Sequence, residues 1–245
     1  TCITEFEDKR FFKHFGVDFK AIVAATITNL KRKRIIRGAS TISMQTIRLS
    51  RDNKNRTFLE KIIESFLAVR LELSYSKNEI LALYASHAPF GGNVVGIEAA
   101  AWRYFGRNHL NLTWAENAML AVLPNSPSLI HTKRNRKILK QKRDLLLKKI
   151  YEKNIISEQE YLLSLQETIP KHPYPYPLNA YHLLNLVKNK NERSKTKHIS
   201  SVDINIQKKV NDIANRFQKK YAARGIENIA VLVIDVETAE VLAYV

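Results

Sequence analysis

Along the first two thirds of the chain, apolar residues recur at helical spacing, and the segments they mark are opened repeatedly by one polar signature. Thr57-x-x-Glu60, Ser76-x-x-Glu79, Thr113-x-x-Glu116 and Ser157-x-x-Glu160 read as capping boxes, in which a hydroxyl and a carboxylate close the free N–H groups of a first helical turn. The first of these predicts a helix over about 57–73, with Leu59, Ile62, Ile63, Phe66, Leu67 and Leu73 as one core stripe. Glu64 lies off the centre of that stripe, flanked on its own face by Lys61 and Ala68, so it can point into a cleft. The helix after Ser76 turns Ile80, Leu81, Leu83 and Tyr84 inward. After a glycine-rich loop over 90–96, a small-residue helix covers 97–105 and closes at Gly106. The helix after Thr113 is buried and stops before Pro124, where Asn125-Ser126-Pro127-Ser128 forms a turn. The helix after Ser157 ends the domain.

Two further segments carry charge into the pattern. Residues 17–30 hold Phe19, Ile22, Val23, Ala24, Ala25 and Ile27, and Lys31-Arg32-Lys33-Arg34 follows at once, then Ile35-Ile36. An apolar helix ended by cations fits a segment lying at a lipid interface, and it equally fits a buried helix with a charged exit. Residues 133–149 pack Lys and Arg around Ile138, Leu139, Leu145, Leu146 and Leu147, a basic amphipathic helix with a solvated face.

Four prolines among tyrosines over 170–177 mark the clearest boundary. The expected organisation is a domain over 1–169, a linker over 170–200 and a further segment over 201–245. In that last segment a helix over 205–221 precedes two apolar runs, 229–235 and 241–245. A turn at Glu237-Thr238-Ala239 joins them into a β-hairpin.

Composition adds one strong constraint. The net charge of +17 and a pI near 9.9 imply an anionic partner: nucleic acid, an anionic membrane or a phosphorylated substrate. The single cysteine, Cys2, excludes an intrachain disulfide, and no Cys/His metal-ligand spacing occurs. No run of about 18 apolar residues is present.

The candidate chemistry lies in three stretches. Glu7-Asp8-Lys9-Arg10-Phe11-Phe12-Lys13-His14-Phe15-Gly16 sets two adjacent carboxylates among cations and aromatics. Rings lower the local dielectric and cations hold a carboxylate ionised, which are the makings of a general base; the same letters also suit a solvated helix end. Gly38-Ala39-Ser40-Thr41-Ile42-Ser43-Met44-Gln45 allows close backbone approach and supplies neutral donors. It fits a loop turning into a helix that holds a sugar or phosphate, or an ordinary N-cap. Arg48, Arg51, Lys54 and Arg56 come next, then Lys61 and Glu64.

Taken in order, Glu-Asp-x-x-Phe-x-x-His-x-Gly, Gly-x-Ser-Thr-Ile-x-x-Gln and Lys-x-x-Glu resemble the peptidoglycan glycosyltransferase domain of class A penicillin-binding proteins and monofunctional transglycosylases. The resemblance covers roughly residues 3–165. Three departures stand out: Glu60 replaces the arginine usual before Lys61, and Ala85 and Ser86 replace the usual Leu and Asn. The following His87-Ala88-Pro89-Phe90-Gly91-Gly92-Asn93 is similar to the 1C branch of the family.

The resemblance implies a mainly α, lysozyme-like glycosyltransferase domain with a small membrane-facing subdomain, then a linker and the first strands of a truncated α/β transpeptidase domain. Ala239 stands where the latter usually has a turn glycine. It implies polymerisation of lipid II by inverting transfer to the acceptor 4-hydroxyl, with release of undecaprenyl pyrophosphate. Glu7 is then the general base and Glu64 the second active-site carboxylate, with Glu64 also a candidate ligand for a divalent cation, Mg or Mn. Asp8 and His14 support Glu7, while Lys13, Ser40, Thr41, Gln45, Arg48, Arg56 and Lys61 are candidates for binding substrate. The expected partners are lipid II, the growing lipid-linked glycan and an anionic membrane surface, with no nucleic acid. The expected location is the periplasmic face of the bacterial inner membrane, with an anchoring helix upstream of Thr1.

Two rivals make different demands. A lysozyme-like glycosidase also uses two carboxylates in a helical domain, but it releases sugars from finished glycan and needs no pyrophosphate cations. A nucleic-acid-binding protein would interleave aromatics with its basic patches, whereas most aromatics here fall at core positions. Ser74-x-x-Lys77 and Ser194-x-x-Lys197 match the spacing of a β-lactam-reactive serine, but no Ser-x-Asn or Lys-Thr-Gly partner follows either.

Overall fold

The computed structural model describes residues 1–32, 38–51, 57–130, 133–190 and 199–245, and it divides into two compact units, Thr1–Pro175 and Tyr176–Val245. The first is helical throughout: α1 (Cys2–Glu7), α2 (Phe19–Arg32), α3 (Ile42–Ser50), α4 (Phe58–Ser74), α5 (Lys77–His87), α6 (Ile97–Phe105), α7 (Trp114–Val122), α8 (Lys133–Glu152) and α9 (Glu158–Gln166).

At the centre of this unit lies α7. Ala115, Glu116 and the whole stretch 118–122 are buried, as expected of a helix that is apolar on every side. It packs against α1, α6, α8 and α9, so the core is built around its small residues. Met119, Leu120, Leu139, Leu146, Leu147 and Ile150 fill that core together with Ile80, Tyr84 and Phe90. Arg143, only 1% exposed, enters the same interior and donates to the Glu167 carbonyl at 2.7 Å.

Three of the four expected capping boxes close in full, at Ser76, Thr113 and Ser157. Thr57 caps α4 by accepting from Glu60 N, while the Glu60 carboxylate takes a hydrogen bond from Arg51 Nε at 2.8 Å.

The expected core stripe of α4 faces outward. Phe58 is 83% exposed and Phe66 72%, and Leu59, Ile62 and Leu73 are exposed with them; the buried residues are Glu64 and Ala68. The cause is the close approach of α4 to the chain before it. A Cβ on Gly16 would stand 2.7 Å from Val69 N, so the two backbones touch and only a small side chain such as Ala68 fits between them. Met44 and Val17 complete this second, smaller core. On α2 only Ala25 is buried, and Phe19, Val23, Ile27 and Leu30 are exposed along its outer side. Of the cationic run that follows, Lys31 and Arg32 are exposed; Lys33, Arg34, Ile35 and Ile36 lie outside the described residues.

The proline-rich stretch is bound to the first unit as far as Pro175. Tyr174 N donates to the Arg103 carbonyl at 2.7 Å, Arg103 returns a hydrogen bond to the Tyr174 carbonyl, and Trp102 Nε1 donates to Pro175 O. Gly106 leaves the space that the Tyr174 ring occupies.

The second unit holds α10 (Tyr181–Lys190), α11 (Ile204–Ala222), β1 (Leu232–Ile234) and β2 (Val241–Tyr244). The two strands form the expected antiparallel hairpin, pairing Leu232 with Tyr244 and Val233 with Ala243. Buried Gln207 of α11 clamps β2, donating to Tyr244 O at 3.0 Å and accepting from Tyr244 N at 2.8 Å. Asp235 accepts from the N–H groups of Glu237 and Thr238 to hold the turn, where Ala239 adopts a φ of 57°.

Candidate active site

Glu7 is the last residue of α1, and the chain turns sharply after it. Asp8 ends the helix and is buried; its carboxylate receives His14 Nε2 at 2.9 Å and the Ile42 N–H at 3.1 Å. A carboxylate beside the first N–H groups of α3 complements that helix terminus. Asp8 therefore ties α1, the 10–14 turn and the start of α3 together, and His14 serves the same joint. Thr41 caps α3 through Met44 N and donates to Gly16 O at 2.6 Å, so it too builds the frame.

Held by this frame, Glu7 faces a cavity of about 640 Å³. Its Oε2 accepts from Gln45 Nε2 at 3.0 Å, and Gln45 Oε1 in turn accepts from the buried Tyr84 hydroxyl at 3.3 Å. Its Oε1 is buried with no partner within hydrogen-bonding distance. Burial raises the Glu7 pKa; Gln45, Asn125 and Lys142 pull it back down, and the neighbouring Asp8 charge pushes it up. The result is a carboxylate more basic than usual, with one oxygen fixed and the other free to take a proton.

The same cavity is lined by Glu64, 3% exposed, with both oxygens held by Arg48: Nε at 2.6 Å and Nη2 at 2.7 Å. The pairing raises the Arg48 pKa. Beside this neutral pair Lys61 is exposed, lines the cavity and closes no ion pair among the described residues. Ser40 and Gly38 line the same space, and a Cβ on Gly38 would meet nothing within 4 Å. The loop glycine thus leaves room on the cavity wall rather than allowing another part of the chain to approach.

The expected site residues separate into two groups. Glu7, Ser40, Gln45, Arg48, Lys61 and Glu64 line one cavity. Asp8, His14 and Thr41 hold its frame. Lys13 is exposed and does not line the cavity, because the turn after Phe11 aims it away. Arg56 lies outside the described residues.

Glu64, the expected ligand for a divalent cation, has both oxygens engaged by Arg48. Among the described residues no three His, Cys, Asp or Glu groups come together, and an ion at Glu64 would have to displace the Arg48 fork.

Several cavity-lining residues escaped the sequence reading. Thr26 and Asn29 turn from α2 toward the cavity, and Asn125 reaches it from the turn after α7. The apolar pattern of α2 conceals the first two. The third lay in a turn whose polar residues carry no period.

A family model described as Transglycosylase matches residues 1–151. The chain is 33% identical over 236 residues to penicillin-binding protein 1C of Escherichia coli, covering 96% of this chain and 30% of that protein. It is 34% identical over 178 residues to penicillin-binding protein 1A of Aquifex aeolicus, covering 72% of this chain and 24% of that protein. It is also 34% identical over 163 residues to penicillin-binding protein 4 of Bacillus subtilis, covering 66% and 26%. The chain thus spans less than a third of the length of these relatives. The matched stretch runs from α1 into α8 and contains both carboxylates, the glutamine that orients one and the arginine that holds the other: the chain belongs to the transglycosylase family.

Proposed function

We propose that this chain carries the peptidoglycan glycosyltransferase activity of a class A penicillin-binding protein, polymerising lipid II into glycan strands for the bacterial cell wall. The observation that carries this reading is Glu7, buried at the cavity wall with Oε2 held by Gln45 and Oε1 free. A neutral sugar hydroxyl is a poor nucleophile, and a carboxylate of raised pKa is matched to the task of taking its proton.

The acceptor 4-hydroxyl gives its proton to Glu7 as its oxygen bonds to the anomeric carbon of the donor. The bond from that carbon to the lipid pyrophosphate breaks in the same step, so the carbon inverts. Negative charge grows on the departing pyrophosphate, and Lys61 and Arg48, which line the same cavity, are the cations to meet it. Glu64 keeps the Arg48 guanidinium in place. No step needs a metal ion at Glu64.

The surroundings support a lipid-linked substrate at an anionic membrane. The two helices that flank the cavity, α2 and α4, both turn apolar side chains outward, Phe19, Val23 and Ile27 on one and Leu59, Ile62 and Phe66 on the other. Among the described residues no helix is long and apolar enough to cross a membrane, so these faces suit shallow contact. With a net charge of +17, such contact fits the periplasmic face of a bacterial inner membrane.

Incubation of the purified protein with lipid II tests the reading. Glycan polymer and free undecaprenyl pyrophosphate are expected, and Glu7→Gln should abolish both. Release of sugars from finished glycan, with no polymer made from lipid II, would overturn it.

A further inference from the structure

One lysine of α8 is connected to the Glu7 wall by a polar chain that the reaction above leaves unused. Lys142, half-buried, donates from Nζ to Ser126 Oγ at 3.1 Å. The Ser126 hydroxyl is directed at Asn125 Oδ1 at 3.5 Å, and Asn125 lines the cavity with Glu7. With its carbonyl oxygen toward Ser126, Asn125 has its NH₂ group left to face the cavity. Among the described residues Lys142 closes no ion pair, so its charge is not neutralised elsewhere.

The other groups around Glu7 do not supply that charge. Asp8, next in the chain, is a like charge and is already held by His14. Gln45 of α3 and Tyr84 of α5 are neutral. Lys153, also on α8, is bound to Glu5 at 2.6 Å, and Arg48 is bound to Glu64. Lys61 of α4 lines the same cavity and is assigned to the departing pyrophosphate, while Lys142 favours the charged form of Glu7, a smaller effect than the hydrogen bonds of Gln45 and Asn125.

We propose that Lys142 is a positioning residue for the transfer reaction: through Ser126 and Asn125 its charge holds Glu7 as a carboxylate ready to accept the sugar proton. The inference rests on the reading of Glu7 as general base. It assigns the turn at 125–126 the task of bringing the influence of α8 to the cavity wall.

The test uses the whole chain with ¹³C-labelled glutamate carboxyls, the Glu7 signal being identified by its loss in Glu7→Gln. Its titration is followed in wild type, Lys142→Gln and Lys142→Arg, alongside pH profiles of kcat/KM on lipid II. Lys142→Gln keeps a donor for Ser126 and removes the charge, so Glu7 should titrate higher at low ionic strength, the acid limb of kcat/KM moving up with it. Lys142→Arg should leave both near wild type. An unmoved Glu7 titration in Lys142→Gln, or an equal shift in Lys142→Arg, overturns the proposal. A moved titration together with a fully active Glu7→Gln would uphold the coupling and overturn Glu7 as the base.

Discussion

Arg48 and Glu64 meet as a two-pronged pair, Nε to Oε1 at 2.6 Å and Nη2 to Oε2 at 2.7 Å, in the cavity that Glu7 also lines. Removing one partner of such a pair leaves the other charged and poorly solvated. Arg48→Ala should cost about 3 kcal/mol of stability, and Arg48→Ala with Glu64→Ala should recover part of that loss. Denaturant titration of the three variants checks it; a double variant no more stable than Arg48→Ala would show that Glu64 is not held as a buried charge. Glu64→Gln should also lose most polymerisation, and added Mg or Mn should not restore it.

Glu7→Gln should lower turnover about a hundredfold or more, the usual worth of a general base. Its stability should change in the opposite direction. Burial raises the Glu7 pKa above 4.5 in the folded protein, so folding favours the protonated form and stability declines as pH rises through that window. The glutamine variant never carries the charge, so it should melt higher than wild type at neutral pH. That advantage should vanish below about pH 4, where wild-type Glu7 is protonated in both states. Melting curves from pH 4 to 8 decide it, and a variant that melts lower at neutral pH would contradict the burial account.

The outer faces of α2 and α4 should bind anionic vesicles. Phe19, Val23 and Ile27 are at least half exposed, so changing all three to serine should leave the fold intact while weakening co-sedimentation more than tenfold at every salt concentration. Charge reversal at Lys31 and Arg32 should weaken binding only at low salt, by about 1 kcal/mol per cation. Serine variants that unfold the protein would show that these residues serve the core.

No covalent adduct with labelled penicillin is expected at Ser74. Its hydroxyl donates to the Arg70 carbonyl at 3.4 Å, while Lys77 is bound to Glu72 at 2.7 Å and sits over the Phe11 ring. The lysine is therefore not available as the serine's base. A fluorescent band on a gel that disappears in Ser74→Ala would refute this.

Local chemistry made much of the fold legible, because a cap or a hairpin turn is decided by residues a few positions apart. The boxes at Ser76, Thr113 and Ser157 and the turn at Asp235 are such cases. Glu7, Gln45 and Glu64 were marked by the resemblance of their motifs to a known family, and the structure brings them to one cavity. The inward face of α4 was not legible. Periodicity locates an apolar stripe but does not say whether protein or another medium covers it, and here Phe58, Ile62 and Phe66 point away from the core. The polar residues that reach the surroundings of Glu7 from later in the chain were hidden for a different reason. Asn125 and Lys142 lie more than a hundred positions along the chain, and only the packing of α1 against α7 and α8 brings them near.

The backbone contact at Gly16 carries a consequence for how this site can change. Gly16 lines none of the cavity, yet its missing methyl group sets how closely the chain before α2 approaches α4, the helix that carries Glu64. Substituting the lining residues can alter what the cavity attracts or how strongly without touching that contact. A methyl group at position 16 would act the other way, leaving every lining side chain as it is and pressing on the α4 backbone. The seating of α4 and the chemistry of the cavity are thus open to change at separate residues.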